Sequence, residues 1–374
     1  MTDAAFERYL DSFDEEPGYL DFAFVGPMGA AARGEQLALT ETLARARFGT
    51  VPALLEQDER ARAAVAAVTG FRADQVVFQP NTSQGLMQAL FGITGTVALA
   101  PSEFPSLPFA AVRAHEALGA LEARWLETDA GRVTPGGIRA QLDDSVVAVA
   151  VSLVDFRTGY LVDLEGIRQV IGDRLLVVDA IQGFGVVDAP WGLADVIATG
   201  GQKWLRAGWS TGFLALSDRA VDRLTPVLSG FPASEVEGMP LDAVPPPARG
   251  ARAFEIAPAD PIAQARLAAA LEQLAEVGVG PVRERIVETT ERIIQLADEF
   301  AVPVLSSRAP HERAGIVVLG PEPAELTALA AALHNHGVAT TVRAGTVRVS
   351  AHASTTDETL DLLRAALTSY ATAI

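Results

Sequence analysis

Short apolar runs that end in a polar residue constrain the fold of this chain most strongly. Residues 146–151 read Val-Val-Ala-Val-Ala-Val, and residues 174–179 read Arg-Leu-Leu-Val-Val-Asp. Continuous apolar runs of about four to eight residues are typical of strands that are buried on both faces, as in a parallel sheet. Helical patterns, such as the one over residues 163–171, separate these runs. The alternation predicts an α/β fold with a doubly wound, mostly parallel sheet.

The chain is long enough for two domains. Its 374 residues allow one large domain or two moderate ones. We assign residues 1–255, with their N-terminal segment, to a large domain that carries the sheet. Helical patterns and short strands follow each other over residues 256–374, which predicts a smaller α+β domain. Residues 226–262 are rich in Pro and Gly and lack periodicity, and we interpret them as a long loop at the edge of the functional site.

Lys203 is the only lysine in the chain, and it lies in the glycine-rich segment 199–212. The other 28 basic residues are arginines. Arginine solvates a surface as well as lysine does, but only a primary amine can lose its proton near neutral pH and attack a carbonyl to form a Schiff base. The alternative is a surface lysine left by chance in an arginine-rich chain. We interpret Lys203 as a candidate covalent anchor.

Asp179 supports this interpretation of Lys203. It ends the apolar run at residues 174–179, and a second predicted strand at 195–199 leads to Lys203. Both side chains are then expected at the carboxyl ends of strands, where open α/β sheets bind their ligands. Such a pair suits pyridoxal phosphate (PLP), because the carboxylate keeps the pyridine nitrogen protonated while the lysine holds the aldehyde carbon.

The same residues resemble the signature of a known family. Asp179-Ala-Ile-Gln182, followed by Gly201-Gln-Lys203-Trp204, is similar to the pattern of the class V branch of fold type I PLP-dependent enzymes. That branch includes cysteine desulfurases, kynureninases, isopenicillin N epimerase and several aminotransferases. The resemblance extends from about Tyr19 to the C-terminus. It implies that Lys203 carries PLP, that Asp179 pairs with the ring nitrogen and that Gln182 donates toward the ring hydroxyl group.

A phosphate site is expected where residues 75–79, a predicted strand, lead into Pro80-Asn-Thr-Ser-Gln-Gly85 and a helix. The free N–H groups and the positive dipole end at a helix N-terminus attract anions. Thr82 and Ser83 match the phosphate-binding hydroxyl groups of the family, and Gln202 is assigned to the same group. The alternative is that Asn81 or Thr82 only caps the helix.

Two further residues are assigned to the cofactor by the resemblance. Phe104 stands where the family places the residue that stacks on the cofactor ring, and a flat apolar ring suits that role. A core phenylalanine is the alternative. Asp155 stands where the family usually has an Asn near the ring hydroxyl group. Because an ionised carboxylate would repel a phenolate there, we expect Asp155 either to turn away, toward Arg157, or to be protonated.

Arg348 is the candidate for binding the substrate. The segment Val347-Arg-Val-Ser-Ala-His352 resembles the last motif of the family, whose arginine holds the substrate carboxylate. A guanidinium group matches a carboxylate through two parallel hydrogen bonds. Because the chain is rich in arginine, an ordinary surface residue is the alternative. The assignment implies an amino acid as the substrate.

Composition narrows the remaining classes of function. The formal net charge of −18 argues against a nucleic-acid partner, which requires a basic face. No apolar run approaches the ~20 residues of a membrane span, and no secretory signal is visible, so we expect a cytoplasmic protein without a membrane partner. The five histidines form no metal-binding pattern, and the absence of cysteine excludes desulfuration through a protein persulfide. A homodimer is expected from the family resemblance.

Transamination is the reaction that we favour from the sequence. The alternatives are a β-lyase of the kynureninase type or an epimerase, and a PLP-binding protein without catalysis is a further one. A lyase needs an acid for its leaving group, and no histidine lies between His115 and His311. Gln182 also stands where kynureninases carry a histidine.

Overall fold

The structure is a computed structural model that describes residues 3–236 and 238–373. Among these residues, four α-helices precede the first strand, and helices and strands then alternate from residue 76 to residue 179. The helices are α1 (Asp3–Leu10), α2 (Ala30–Ala44), α3 (Thr50–Leu55), α4 (Gln57–Thr69), α5 (Thr82–Gly92), α6 (Ser106–Leu118), α7 (Pro135–Gln141), α8 (Leu164–Ile171), α9 (Asp218–Arg223), α10 (Pro261–Val277), α11 (Val279–Glu299), α12 (Leu326–Asn335) and α13 (Asp357–Ala373). The strands are β1 (Val76–Phe78), β2 (Gly95–Leu99), β3 (Leu121–Trp125), β4 (Val146–Ser152), β5 (Leu175–Asp179), β6 (Val196–Gly200), β7 (Gly212–Leu216), β8 (Ile316–Leu319), β9 (Thr341–Arg343) and β10 (Thr346–Ser350).

Seven strands form one sheet in the order β1-β7-β6-β5-β4-β2-β3. Strands β3, β2, β4, β5 and β6 are parallel, and β7 is antiparallel to both β6 and β1. The predicted α/β fold with a mostly parallel sheet is therefore confirmed. The carboxyl ends of β1, β4, β5 and β6 meet at one edge of the sheet.

Alternate residues of the central strands enter two separate cores. On one face, Val149 and Val151 of β4 pack with Leu176 and Val178 of β5, together with α4, α8 and α10. On the other face, the intervening strand residues pack against α5 and α6; they include Ala148, Ala150, Leu175 and Val177. Burial on both faces removes any alternation of polar and apolar residues, which is why these strands are continuous apolar runs.

A smaller antiparallel sheet, β8-β10-β9, forms a third core with α11, α12 and α13. Leu20 of the N-terminal segment lies in this core. This segment pairs through two isolated bridges, Tyr19 with Ala339 and Asp21 with Ser350. The chain turns after Asp21, because the N–H groups of residues 24 and 25 both donate to its carbonyl oxygen.

Helix α10 lies in the core of the large sheet, where it packs against α2 and α4. This helix lies within residues 256–374, which the sequence predicts to form the smaller domain. The division at residue 255 stays a prediction. The end of the Pro- and Gly-rich segment, Glu255–Asp260, lines a small cavity together with Pro80 and Ser210. Within residues 3–236 and 238–373, no helix combines the length and apolar character that crossing a bilayer requires.

The side chain of Arg206 joins three parts of the chain. It is 1% exposed, and its backbone φ of 56° lies in the left-handed region. Its guanidinium group donates to Glu15 at 2.5 Å, to the carbonyl oxygen of Pro27 at 2.6 Å and to Ser354 Oγ at 3.0 Å. The ring of Phe13 covers it, with the centroid 4.1 Å from the guanidinium carbon. Arg206 therefore fixes the N-terminal segment and the small sheet against the loop that follows β6.

We expect Glu15→Ala to destabilise the fold by about 3–5 kcal/mol, because it leaves the buried guanidinium group of Arg206 without its carboxylate. Denaturation by urea measures this loss as a change in the free energy of unfolding. The matched control is Glu16→Ala at the neighbouring exposed carboxylate. If the two variants unfold within about 0.5 kcal/mol of each other, as ordinary surface substitutions do, the role assigned to the Glu15–Arg206 pair is wrong.

Candidate cofactor and substrate site

A cavity of about 510 Å³ opens at the carboxyl ends of β1, β5 and β6. The turn after β1 leads into α5, Asp179 is the last residue of β5, and Lys203 follows the end of β6. Most of the predicted site residues line this cavity. They are Thr82, Ser83, Phe104, Asp179, Gln182, Gln202, Lys203 and Arg348.

The amine of Lys203 is buried in the wall of the cavity, and the residue is 9% exposed. Burial lowers the pKa of its ammonium group, and the positive charges of Arg348 and Arg343 act in the same direction, against the opposing effect of Asp179. A larger fraction of the amine is then unprotonated near neutral pH. The position therefore suits a nucleophilic or basic amine.

The loop that carries Lys203 is held by close backbone contact with Gly26. The N–H of Gly26 donates to the carbonyl oxygen of Gln202 at 2.8 Å. A Cβ atom at residue 26 would lie 2.1 Å from the carbonyl oxygen of Lys203, so only glycine fits there. The close contact of Gly26 is therefore with the lysine loop itself.

Asp179 presents one free carboxylate oxygen to the cavity. Its Oδ1 accepts a hydrogen bond from the N–H of Ile181 at 3.1 Å, whereas the buried Oδ2 has no partner among the described residues. Burial raises the pKa of this carboxyl group, and the Ile181 N–H and the charge of Lys203 oppose the increase. A buried acceptor without a partner is costly, so a donor on a bound molecule would satisfy it.

Hydroxyl groups collect where α5 begins. Asn81 caps the helix, since its side chain accepts the N–H of Gln84 at 2.9 Å. Thr82 therefore does not cap it, and its buried Oγ1 has no partner among the described residues. Ser83 Oγ lies 2.6 Å from Ser106 Oγ, at the start of α6. These hydroxyl groups and the helix N-termini form the end of the cavity that suits a phosphate group.

Phe104 forms another wall of the cavity. The Nζ atom of Lys203 lies 5.5 Å from the centroid of its ring, and the ring of Phe156 meets it edge-on at 5.1 Å. The ring is thus held in place beside the candidate anchor, and it presents an apolar surface to a flat ligand.

The side-chain amide of Gln182 is oriented by two bonds within the protein. Its Nε2 donates to the carbonyl oxygen of Ala23 at 2.9 Å, and its Oε1 accepts from the indole N–H of Trp204 at 3.0 Å. One hydrogen of the Nε2 group remains available, because an amide nitrogen carries two. Gln202 lines the cavity next to Lys203.

Asp155 is not among the described residues that line the cavity, and its assignment as a cofactor-binding residue stays a prediction. Its carboxylate turns toward Arg157, with the nearest side-chain contact at 3.1 Å. Oδ1 also accepts from the Arg157 N–H at 2.9 Å, the Thr158 N–H at 2.7 Å and the Thr158 hydroxyl group at 2.9 Å. Donors from Arg157 and Thr158 thus hold the carboxylate in a local turn, which is the first of the two outcomes expected from the sequence.

Arg348 lies across the cavity, 7% exposed, on strand β10. It donates to the carbonyl oxygen of Phe156 and to Thr341 Oγ1, both at 3.2 Å, and its nearest carboxylate, Asp21, is 3.6 Å away. Its buried Nε has no partner among the described residues. The guanidinium group thus keeps N–H groups that can donate to a bound carboxylate.

Other residues that line the cavity were not found from the sequence: Ala23, Phe24, Ser106, Trp209, Ser210 and Arg343. Ser106 could have been predicted from the sequence, because it is a hydroxyl residue at a helix start two positions after Phe104. The same holds for Arg343, because a tight hairpin brings it beside the strand of Arg348. Trp209 lies in a loop and could not have been predicted in this way.

The chemistry of these residues fits PLP. Within the part of the chain that the structure describes, Asp179 Oδ2 has no partner and can accept from a ring N–H, and Thr82 Oγ1 has none at the phosphate end; Lys203 supplies the amine. The fold and this set of side chains define a fold type I PLP-dependent enzyme.

Comparison with known proteins gives the family. The model of the family "Aminotransferase class-V" matches residues 51–373, which is most of the chain. The chain belongs to this family, and its cofactor is PLP.

Individual relatives are distant. A kynureninase of Deinococcus radiodurans is 28% identical over 270 residues, which cover 68% of this chain but only 64% of that protein. An uncharacterized aminotransferase of Bacillus subtilis, YcbU, is 25% identical, and the match covers 81% of each chain. Among solved structures, a cysteine desulfurase of Thermococcus onnurineus superposes with a TM-score of 0.82 at 21% identity and covers 93% of both chains. The structural likeness concerns the fold alone.

Proposed function

We propose that this protein is an aminotransferase that acts on an α-amino acid and carries PLP on Lys203. One observation supports the choice of reaction most directly. Among the described residues that line the cavity, Lys203 and Asp179 are the only groups suited to proton transfer. None of the five histidines lines it. Transamination needs one base that moves a proton at the substrate Cα, whereas a lyase also needs an acid for the leaving group.

Each of the candidate site residues has a separate role in this reaction. When bound, PLP supplies an electron sink for the charge that develops at Cα. Arg348 binds the substrate carboxylate and orients the Cα–H bond toward Lys203. The amine of Lys203 removes the proton from Cα and would deliver it to the cofactor carbon that holds the amino group, which leaves a keto acid once water releases it. The charge of Asp179 keeps the ring nitrogen protonated, Gln182 donates to the ring hydroxyl group, and Phe104 covers the ring. Thr82, Ser83 and Gln202 hold the phosphate group, joined by Ser106.

Assembly and location belong to the same proposal. A homodimer is supported by the family resemblance, and a cytoplasmic location is a further part of the proposal.

A β-lyase is the second candidate function, because the match to a kynureninase favours it. An epimerase would use the same lysine without releasing any fragment. Neither reaction needs a keto acid as amino acceptor. The amino group of the substrate leaves the enzyme together with the product, so none of it stays on the cofactor. This difference in stoichiometry separates the reactions.

The test is to mix the PLP-loaded protein with single amino acids and to measure released keto acid. An aminotransferase keeps the amino group, so we expect one equivalent of keto acid per active site and then a stop. Adding a second keto acid as acceptor should restart turnover and yield the corresponding amino acid. Continuous release of a side-chain fragment without an acceptor would instead establish the lyase, and loss of optical purity without keto acid would establish the epimerase.

A further inference from the structure

A second cavity, which we call the side cavity, adjoins the candidate site. Its volume is about 580 Å³. It shares Phe104, Arg343 and Arg348 with the cofactor cavity, so the two spaces meet at the guanidinium group assigned to the substrate carboxylate. Its other walls include Phe156, Arg157, Leu305 and Val318.

The walls of the side cavity are mostly apolar. Phe104 and Phe156 form an edge-on aromatic pair, and Leu305 and Val318 are the larger aliphatic residues among the walls. Leu305 is 51% exposed. Covering an apolar wall that is open to solvent is favourable, because it removes apolar surface from water. The cavity therefore favours an apolar occupant.

Charge further restricts the occupant. Arg157, Arg343 and Arg348 line the side cavity, and among its described residues no Asp or Glu does. A cationic side chain would be repelled there. The guanidinium groups of Arg343 and Arg157 lie 5.7 and 5.8 Å from the centroid of Phe156, so arginine and aromatic faces already alternate along this wall. Such walls suit a further aromatic ring, because rings stack on both kinds of surface.

We propose that the side cavity is the site for the substrate side chain, and that the substrate is an aromatic amino acid. This inference rests on the proposed function, since it takes Arg348 as the partner of the α-carboxylate. With the carboxylate on Arg348 and Cα beside Lys203, the side chain of the substrate enters the space between Phe156 and Leu305. Phe156 and Leu305 are then specificity-determining residues.

The first experiment measures the affinity of the PLP-loaded protein for L-phenylalanine, L-tryptophan, L-alanine, L-glutamate and L-arginine. Binding is followed by the change in the visible absorbance of the bound cofactor and, separately, by calorimetry. We expect the two aromatic amino acids to bind at least ~10-fold more tightly than L-alanine, because a single apolar contact surface discriminates by about 10- to 200-fold. L-Arginine should bind most weakly.

Two variants test the walls. Phe156→Ala removes the aromatic wall, and Leu305→Trp fills the cavity from its open side. Both should weaken the binding of L-phenylalanine by about 10-fold or more, while the affinity for L-alanine stays within about twofold, because L-alanine does not reach these walls. The matched control is Phe109→Ala, at a phenylalanine that is 61% exposed on the outer face of α6. Equal PLP content in all variants verifies that each has folded.

The outcomes separate this inference from the proposed function. A protein that responds to L-alanine or L-glutamate more strongly than to either aromatic amino acid retains the proposed function and overturns the aromatic substrate. The same holds if Phe156→Ala and Leu305→Trp weaken L-alanine and L-phenylalanine equally. A protein that binds PLP but responds to none of the five amino acids contradicts both.

Discussion

Replacing Lys203 by alanine is expected to abolish covalent attachment of PLP and to reduce turnover by at least ~10²–10⁴-fold. Proton transfer by a positioned group accelerates a reaction by about 10²–10⁴-fold, so the loss of proton transfer alone accounts for this decrease. Because Lys203 is the only lysine in the chain, no neighbouring amine of this type can replace it. Amino-donor turnover, measured as keto acid formed in the presence of an acceptor, gives the result.

The control for charge is Lys203→Arg. Arginine keeps a positive charge next to Asp179 but stays protonated, so it neither attacks a carbonyl nor accepts a proton. We expect it to be as inactive as Lys203→Ala. Recovery of substantial turnover in Lys203→Arg would show that Lys203 contributes only its charge.

Replacing Asp179 by asparagine is the second large expected effect. The substitution keeps the shape of the side chain and its hydrogen bond to Ile181, but it removes the charge from the buried, unpaired oxygen. Without that charge the ring nitrogen is no longer held protonated and the electron sink weakens. We expect turnover to fall by about 10²–10³-fold, comparable to the loss of one other preorganised electrostatic group, while PLP stays attached to Lys203.

Asp155→Asn is the matched control for Asp179→Asn. Both changes neutralise a carboxylate at the carboxyl end of a central strand, but only Asp179 lines the cavity. Asp155 faces Arg157 and Thr158, so little change in turnover is expected. A larger loss in Asp155→Asn than in Asp179→Asn would contradict the assignment of both residues.

Much of the sheet could be predicted from the sequence because both of its faces are buried. Strands β4, β5 and β6 carry side chains into two cores, so their sequences are apolar throughout and easily separated from amphipathic helices such as α8. The strand ends then locate Asp179 and Lys203, since parallel strands present their carboxyl ends at one edge. The family resemblance added Phe104 and Arg348, which lie outside those strands.

Side-chain direction could not be predicted in the same way. Asp155 follows β4, at the end of the strand where a ligand residue is expected. Its carboxylate is bound instead by the N–H groups of Arg157 and Thr158 in the following turn. Such contacts between an aspartate and nearby N–H groups are common in turns and leave no trace in a pattern of strands.

The most direct test of the central claim is reduction of the PLP-loaded protein with borohydride, followed by mass analysis of its peptides. Reduction makes the link between the cofactor and an amine permanent, so the labelled residue can be identified. We predict a single labelled peptide, with the added mass on Lys203. A label on the α-amino group, or the absence of any labelled peptide from protein that contains stoichiometric PLP, would contradict the assignment of Lys203 as the anchor.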